Sequence, residues 1–231
     1  MAKRKSDRAE TVVVEQVAAP RSSAPIWERY PSLLLYVLGA IALGIGGWWA
    51  YKEMIVKPKQ VEAVAAMWQA EQQFGRDSFQ LALNNPGGGF DGFLTIADKF
   101  SGTPAGNMAH YYAGVCYLHA GEYDNAIAQM EDFSPDGNLL PAMKYGVMGD
   151  CYAEKQDFGN ALDYYEKAAD AAENDLIAIF YLKKLGMLNE SQGNNKAAVE
   201  AYERIRRDYP NQESTDWRDI DKYIYRAGGG K

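Results

Sequence analysis

The chain has 231 residues, 47% of them hydrophobic, enough for one sizeable domain with accessory segments. Its charge is divided: residues 1–59 carry nine Lys and Arg against five Asp and Glu, whereas residues 60–231 carry fifteen against twenty-six. The acidic main part argues against nucleic acid as a partner. Only two cysteines occur, Cys116 and Cys151, with no Cys-x-x-Cys or His/Cys spacing, which argues against a disulfide framework or a metal site.

Residues 1–30 mix both signs of charge, hold Pro20 and Pro25, and read as a disordered tail. The run PSLLLYVLGAIALGIGGWWAY at 31–51 contains no charged residue. At ~1.5 Å rise per residue it covers the ~30 Å of a hydrocarbon core. Tyr36 lies near one end and Trp48, Trp49 and Tyr51 at the other, where amphipathic rings favour the headgroup level. Thirty residues rich in polar side chains precede the run and no small-x-small site ends it, so it reads as an uncleaved transmembrane helix rather than a signal peptide. Lys3, Arg4, Lys5, Arg8, Arg21 and Arg29 precede it, against Lys52, Lys57 and Lys59 after it. That bias places the tail in the cytoplasm and the acidic domain in the periplasm, as a single-pass protein of a bacterial inner membrane with lipid around its span. Residues 52–60 read as a juxtamembrane linker.

The chain's sixteen tyrosines, its frequent alanine and the scarcity of Val/Ile runs beyond the span predict an all-α domain over 61–226. VEAVAAMWQAEQQFGRDSFQLAL reads as one helix and GFLTIADKF as its shorter partner, a degenerate first pair over 61–106 split by the Gly-rich insertion NNPGGGFDG at 84–92. The insertion has no Lys-Ser/Thr after it and no strand before it, so it is a surface loop rather than a phosphate cradle. Three copies of one pattern follow. Gly114, Tyr117, Gly121, Tyr123, Ala126 and Met130 set the first, over 107–141. Gly149, Tyr152, Phe158, Ala161, Tyr165 and Ala168 set the second, over 142–178, with Gln156 where a turn glycine is expected. Gly186, Gly193, Ala198, Tyr202, Ile205 and Pro210 set the third, over 179–212, with Asn189 and Asn195 in aromatic positions. Small residues where two helices cross and large ones beside them are the size alternation of the tetratricopeptide repeat, which the three copies resemble. Residues 213–226 predict a capping helix, and 227–231 a flexible tail.

Such a solenoid lines its concave wall with the first helix of each repeat. The wall residues are Met108, Tyr111, Val115, Leu118 and His119, then Met143, Gly146, Asp150, Ala153 and Glu154, then Phe180, Lys183, Met187, Glu190 and Ser191. Methionine and aromatic side chains suit adaptable contact with apolar segments, and the wall lacks the Lys/Arg cluster that would clamp a peptide carboxylate. His110 falls at a packing position. Asp150 and Glu154 stand one helical turn apart, the spacing of a shared-proton pair but also of a solvated face. No cofactor motif occurs, and the reading is a binding protein, not an enzyme.

The stretch GFLTIADKFSGTPAGNMAHYYAGVCYLHAGEYDNAI at 92–127, together with the preceding span, resembles the YfgM-type periplasmic tetratricopeptide proteins. The resemblance implies an ancillary subunit of the SecYEG translocon, working beside a PpiD-type membrane-tethered chaperone and meeting emerging unfolded polypeptide. An envelope-assembly scaffold independent of the translocon is the alternative.

Overall fold

The computed structural model describes residues 31–210 and 219–228, and all regular structure among them is helical. The tail 1–30, Trp217 and the end of the chain from 229 lie outside the described residues. The chain divides into two compact units at residues 49 and 50.

Helix α1, Pro31–Tyr51, is free of charge. From Leu35 to Tyr51 its large side chains, among them Leu38, Ile41, Leu43 and Trp49, are exposed. Counted over the described residues, no helix is long and apolar enough to cross a membrane; the side chains of Pro31, Leu33 and Leu34 fall outside that set.

The expected linker 52–60 is instead helical. Lys52–Val56 forms a π-helical turn, in which the Lys57 amide reaches back five residues to the Lys52 carbonyl, and α2 runs Lys57–Phe74. The reason is Pro58. It has no N–H for the carbonyl four residues back, and the widened turn accommodates that loss at the start of the next helix. Gln60 then ties α2 to the domain by accepting the Ala105 amide at 2.9 Å.

The single helix expected over 61–83 is broken. After α2 the chain turns through Gly75 and Asp77, which takes φ 56°, and restarts as α3, Phe79–Asn84. Three helices, not a pair, therefore precede the first repeat, the third being α4, Phe93–Lys99. The loop between α3 and α4 carries Gly87, Gly88 and Gly89, all with positive φ. It ends at Gly92, whose Cα packs so closely on the α3 backbone that a β-carbon would stand 2.6 Å from the Asn84 carbonyl carbon.

The repeats are α5/α6 (Pro104–Ala120, Tyr123–Asp132), α7/α8 (Leu140–Glu154, Phe158–Ala171) and α9/α10 (Asp175–Ser191, Asn195–Asp208). Each first helix starts a few residues ahead of the expected boundary. At α5 the cause is a Thr103 hydroxyl accepting the Gly106 amide at 3.0 Å, with Pro104 in the first turn. At α9 the cap is Asn174, accepting from Leu176 at 2.9 Å. One packing rule holds all three together: the crossing glycine receives the side chain sixteen residues later. A β-carbon on Gly114 would collide with Met130, on Gly149 would stand 2.6 Å from the Tyr165 ring, and on Gly186 would collide with the ring of Tyr202.

The turn within each repeat uses the left-handed region, at Gly121 (φ 77°), Gln156 (φ 61°) and Gly193 (φ 74°). Gln156 thus adopts the glycine's conformation at a cost of ~1 kcal/mol or more. Asn189, in an aromatic position, is buried and turns its amide onto the Leu185 carbonyl at 3.1 Å. Cys116 and Cys151 are free and fully buried in separate apolar clusters, and burial pushes each thiol up to about 12. The described part of the cap is α11, Ile220–Arg226, which buries Ile220 and Ile224 against the third repeat.

Candidate protein-binding groove

The residues expected on the concave wall lie on α5, α7 and α9, and the structure divides them into filled, bridged and open positions. In the first repeat, Met108, Tyr111, Val115 and Leu118 are half-buried and pack against the cluster of Met130, Phe133 and Met148. Tyr111 lies with its ring centroid 5.8 Å from Tyr112 and 5.5 Å from Phe133, and burial pushes its hydroxyl up to about 12. His119 is exposed and stacked flat on Phe79 of α3, centroids 4.1 Å apart, so it belongs to the α3–α5 contact. His110 is half-buried, with Nδ1 2.9 Å from the Gln129 amide oxygen.

In the second repeat, Met143 is half-buried and Gly146 has no side chain because Tyr181 of the next repeat fills its place, its ring pressed on the glycine backbone. Tyr181 is an electrostatic neighbour of Tyr111 as well. Tyr181 thus crosses from α9 to cover the α7 backbone. Reading offsets within one repeat missed this residue; the signal for it was the lack of a side chain at Gly146. Asp150 accepts two short hydrogen bonds, from the Tyr165 hydroxyl and from Lys184 Nζ, both 2.6 Å. It thereby ties α7 to α8 and α9. Burial first, and then the Asp150 charge, push the Tyr165 hydroxyl upward. With Asp150 committed to a lysine and a tyrosine, the proton-sharing arrangement with Glu154 is not formed. Glu154 is exposed at the end of α7.

In the third repeat, Phe180 and Met187 are exposed, at 43% and 46%. Lys184 lies over the Phe180 ring at 5.2 Å. Lys183 and Glu190 are occupied by the cap: Lys183 stands over Tyr223 at 5.1 Å, and Glu190 takes Arg226 in a two-pronged pair at 2.6 and 2.7 Å.

A wall segment the offsets did not include comes from α2. Val64, Met67 and Glu71 face Met108 and Tyr112 across a groove of about 250 Å³. A wider basin of about 700 Å³ lies between the start of α2, the start of α5 and the end of α6. Several of its polar groups are engaged: Gln60 with Ala105, Thr103 with Gly106, and Asn107 clasped to the Ser134 backbone in both directions. No group of three or more His, Cys, Asp or Glu converges among the described residues. Among the described residues the geometry offers apolar contact and scattered charge.

The comparison with curated proteins returns no match. One family model, described as tetratricopeptide repeat, matches residues 93–135, and a second of the same description matches residues 140–211. Over those two stretches the chain carries tetratricopeptide repeats, the helical scaffold of protein–protein interaction.

Proposed function

We propose that the protein is a membrane-anchored interaction scaffold, with α1 as its transmembrane span, its N-terminus in the cytoplasm and its acidic repeat domain in the periplasm. The observation that carries the anchor is α1 itself: a charge-free helix with exposed leucine, isoleucine and tryptophan side chains from residue 35 to 51. Such a surface suits a hydrocarbon environment and is poorly tolerated in water. Adding the four residues of the backbone helix before Leu35 brings the run to the length of a bilayer core. The repeats supply the binding part, and anchoring raises effective concentration enough for weak contacts to serve.

The finer reading rests on the resemblance over 92–127: an ancillary subunit of the SecYEG translocon that acts with a PpiD-type chaperone on emerging polypeptide. The test is copurification in mild detergent through a C-terminal tag, against the same repeat domain on an unrelated span. Enrichment of SecY, SecE, SecG or the chaperone supports it. Their absence, with crosslinking included, removes the translocon and leaves an envelope scaffold with other partners.

A further inference from the structure

The basin between the start of α2, the start of α5 and the end of α6 has room for a small ligand. Its volume of about 700 Å³ falls within the ~300–1,000 Å³ of small-molecule sites. One of its walls is the helix that continues α1. Lys52 follows Tyr51 directly, and Lys57 stands six residues, or ~9 Å of helix, beyond it. The polar layer on each side of a bilayer core is ~5–8 Å thick. With α1 as the span, Lys52 therefore lies at headgroup level and Lys57 at its outer edge.

The two sides of the basin carry opposite chemistry. The side that continues α1 presents donors. Lys57 bridges Glu53 at 2.5 Å in an exposed pair one turn apart, and its ammonium, with three N–H groups, keeps capacity for a phosphate oxygen. The facing side presents acceptors. Asp132, at the end of α6, is exposed and makes no ion pair among the described residues; its electrostatic neighbour Lys144 turns Nζ to the Phe133 carbonyl at 2.7 Å. His110 holds Nδ1 2.9 Å from the Gln129 amide oxygen. That oxygen can only accept, so Nδ1 carries the proton and Nε2 is the acceptor of the neutral ring. Ser134 adds a hydroxyl, since only its backbone is clasped by Asn107. Val56 and Pro104 supply apolar surface between the two sides.

A purely anionic ligand would meet Asp132, and a purely cationic one would meet Lys52 and Lys57. A zwitterion satisfies both sides. In an ethanolamine phospholipid the phosphate is followed by a primary ammonium, which brings three N–H donors to the acceptor side; the methylated nitrogen of choline brings none. We infer that the basin binds the headgroup of a phosphatidylethanolamine from the surrounding leaflet, with Lys52 and Lys57 on its phosphate and Asp132 and His110 on its ammonium. The inference rests on α1 being the span and names the lipid that the anchored domain selects.

The experiment uses the full chain in mild detergent with equal amounts of dioleoyl phosphatidylethanolamine, phosphatidylcholine and phosphatidylglycerol. Native mass spectrometry then reads which lipid stays on the protein. The ethanolamine lipid should exceed the choline lipid by at least about tenfold, because choline cannot make the charge-assisted hydrogen bonds. Asp132→Asn should bring the two near parity, and Lys57→Gln should weaken both. Both residues are exposed, so the helical signal and melting temperature should change little. Equal retention of the ethanolamine and choline lipids, phosphatidylglycerol retained above either, no lipid retained, or a preference that survives Asp132→Asn overturns the assignment. Carbonate washing of membranes tests the anchor separately. A chain that stays in the pellet without an ethanolamine preference keeps its span and loses this site, whereas a chain released by the wash loses both.

Discussion

The two ends of the helical array are finished in opposite ways. At the C-terminal end, α11 spends its side chains on closure: Ile220 and Ile224 are buried, Tyr223 lies under Lys183 and Arg226, and Arg226 grips Glu190. At the N-terminal end, α2 buries only the small or flexible Ala63, Met67 and Ala70 and leaves Val61, Val64 and Trp68 in solvent. A solenoid's terminal elements decide whether its last apolar surface is hidden. One end of this array is built for stability and the other retains apolar surface at some cost to it, which is the trade expected where a partner completes the packing.

The comparison breaks most visibly at the crossing glycines. Gly186→Val puts branched carbon into the Tyr202 ring and should lower stability by about 3 kcal/mol, read as a lower urea midpoint by circular dichroism. An equally mild loss from Gly186→Val and from the exposed Trp68→Ser would mean that the third repeat is no tighter than α2. A stabilising change sharpens the same contrast. Gln156→Gly relieves a left-handed glutamine and should add about 1 kcal/mol to thermal stability. Because neighbouring repeats stabilise one another, the gain should spread to the amide protection of α7 and α9.

Much of this was legible in the sequence because the repeat is a rule about size. Gly114, Gly149 and Gly186 could be paired with Met130, Tyr165 and Tyr202 by spacing alone, and each pair is in contact. Spacing failed where the fold departs from the repeat. Residues 61–83 look continuously helical because Ser78 and Asp77 are weak breakers on paper, yet Asp77 adopts the left-handed conformation and ends α2 there. Offsets within a repeat likewise place Tyr111 and Phe180 on a wall. They do not show that Tyr181 crosses to Gly146 or that Lys183 and Glu190 are taken by α11, since those contacts join repeats and depend on superhelical geometry.

The closed end should respond to acid. Arg226, and then Tyr202, hold the Glu190 carboxyl below the usual glutamate range. A depressed carboxyl contributes stability that is complete above its unfolded value near 4.3 and is lost as pH falls through the folded value. The protection factors of the α11 amides, corrected for intrinsic exchange, should therefore fall below about pH 4 and change little between pH 5 and 8. Glu190→Gln should lose about 0.5–1 kcal/mol of α11 protection at neutral pH and flatten the acid response, a modest effect because Arg226 is 54% exposed. Unchanged α11 exchange in that variant would show that Ile220 and Ile224 hold the cap without the ion pair.

The smallest effect is the most informative about the open end. Trp68→Ser removes a 58% exposed indole, and the stability of the unliganded chain should move by no more than about 0.5 kcal/mol. A much larger loss would mean that the indole already packs against the rest of the domain and that α2 is as closed as α11. A near-zero loss would separate the two ends, with apolar surface contributing to folding at the α11 end and not at the α2 end.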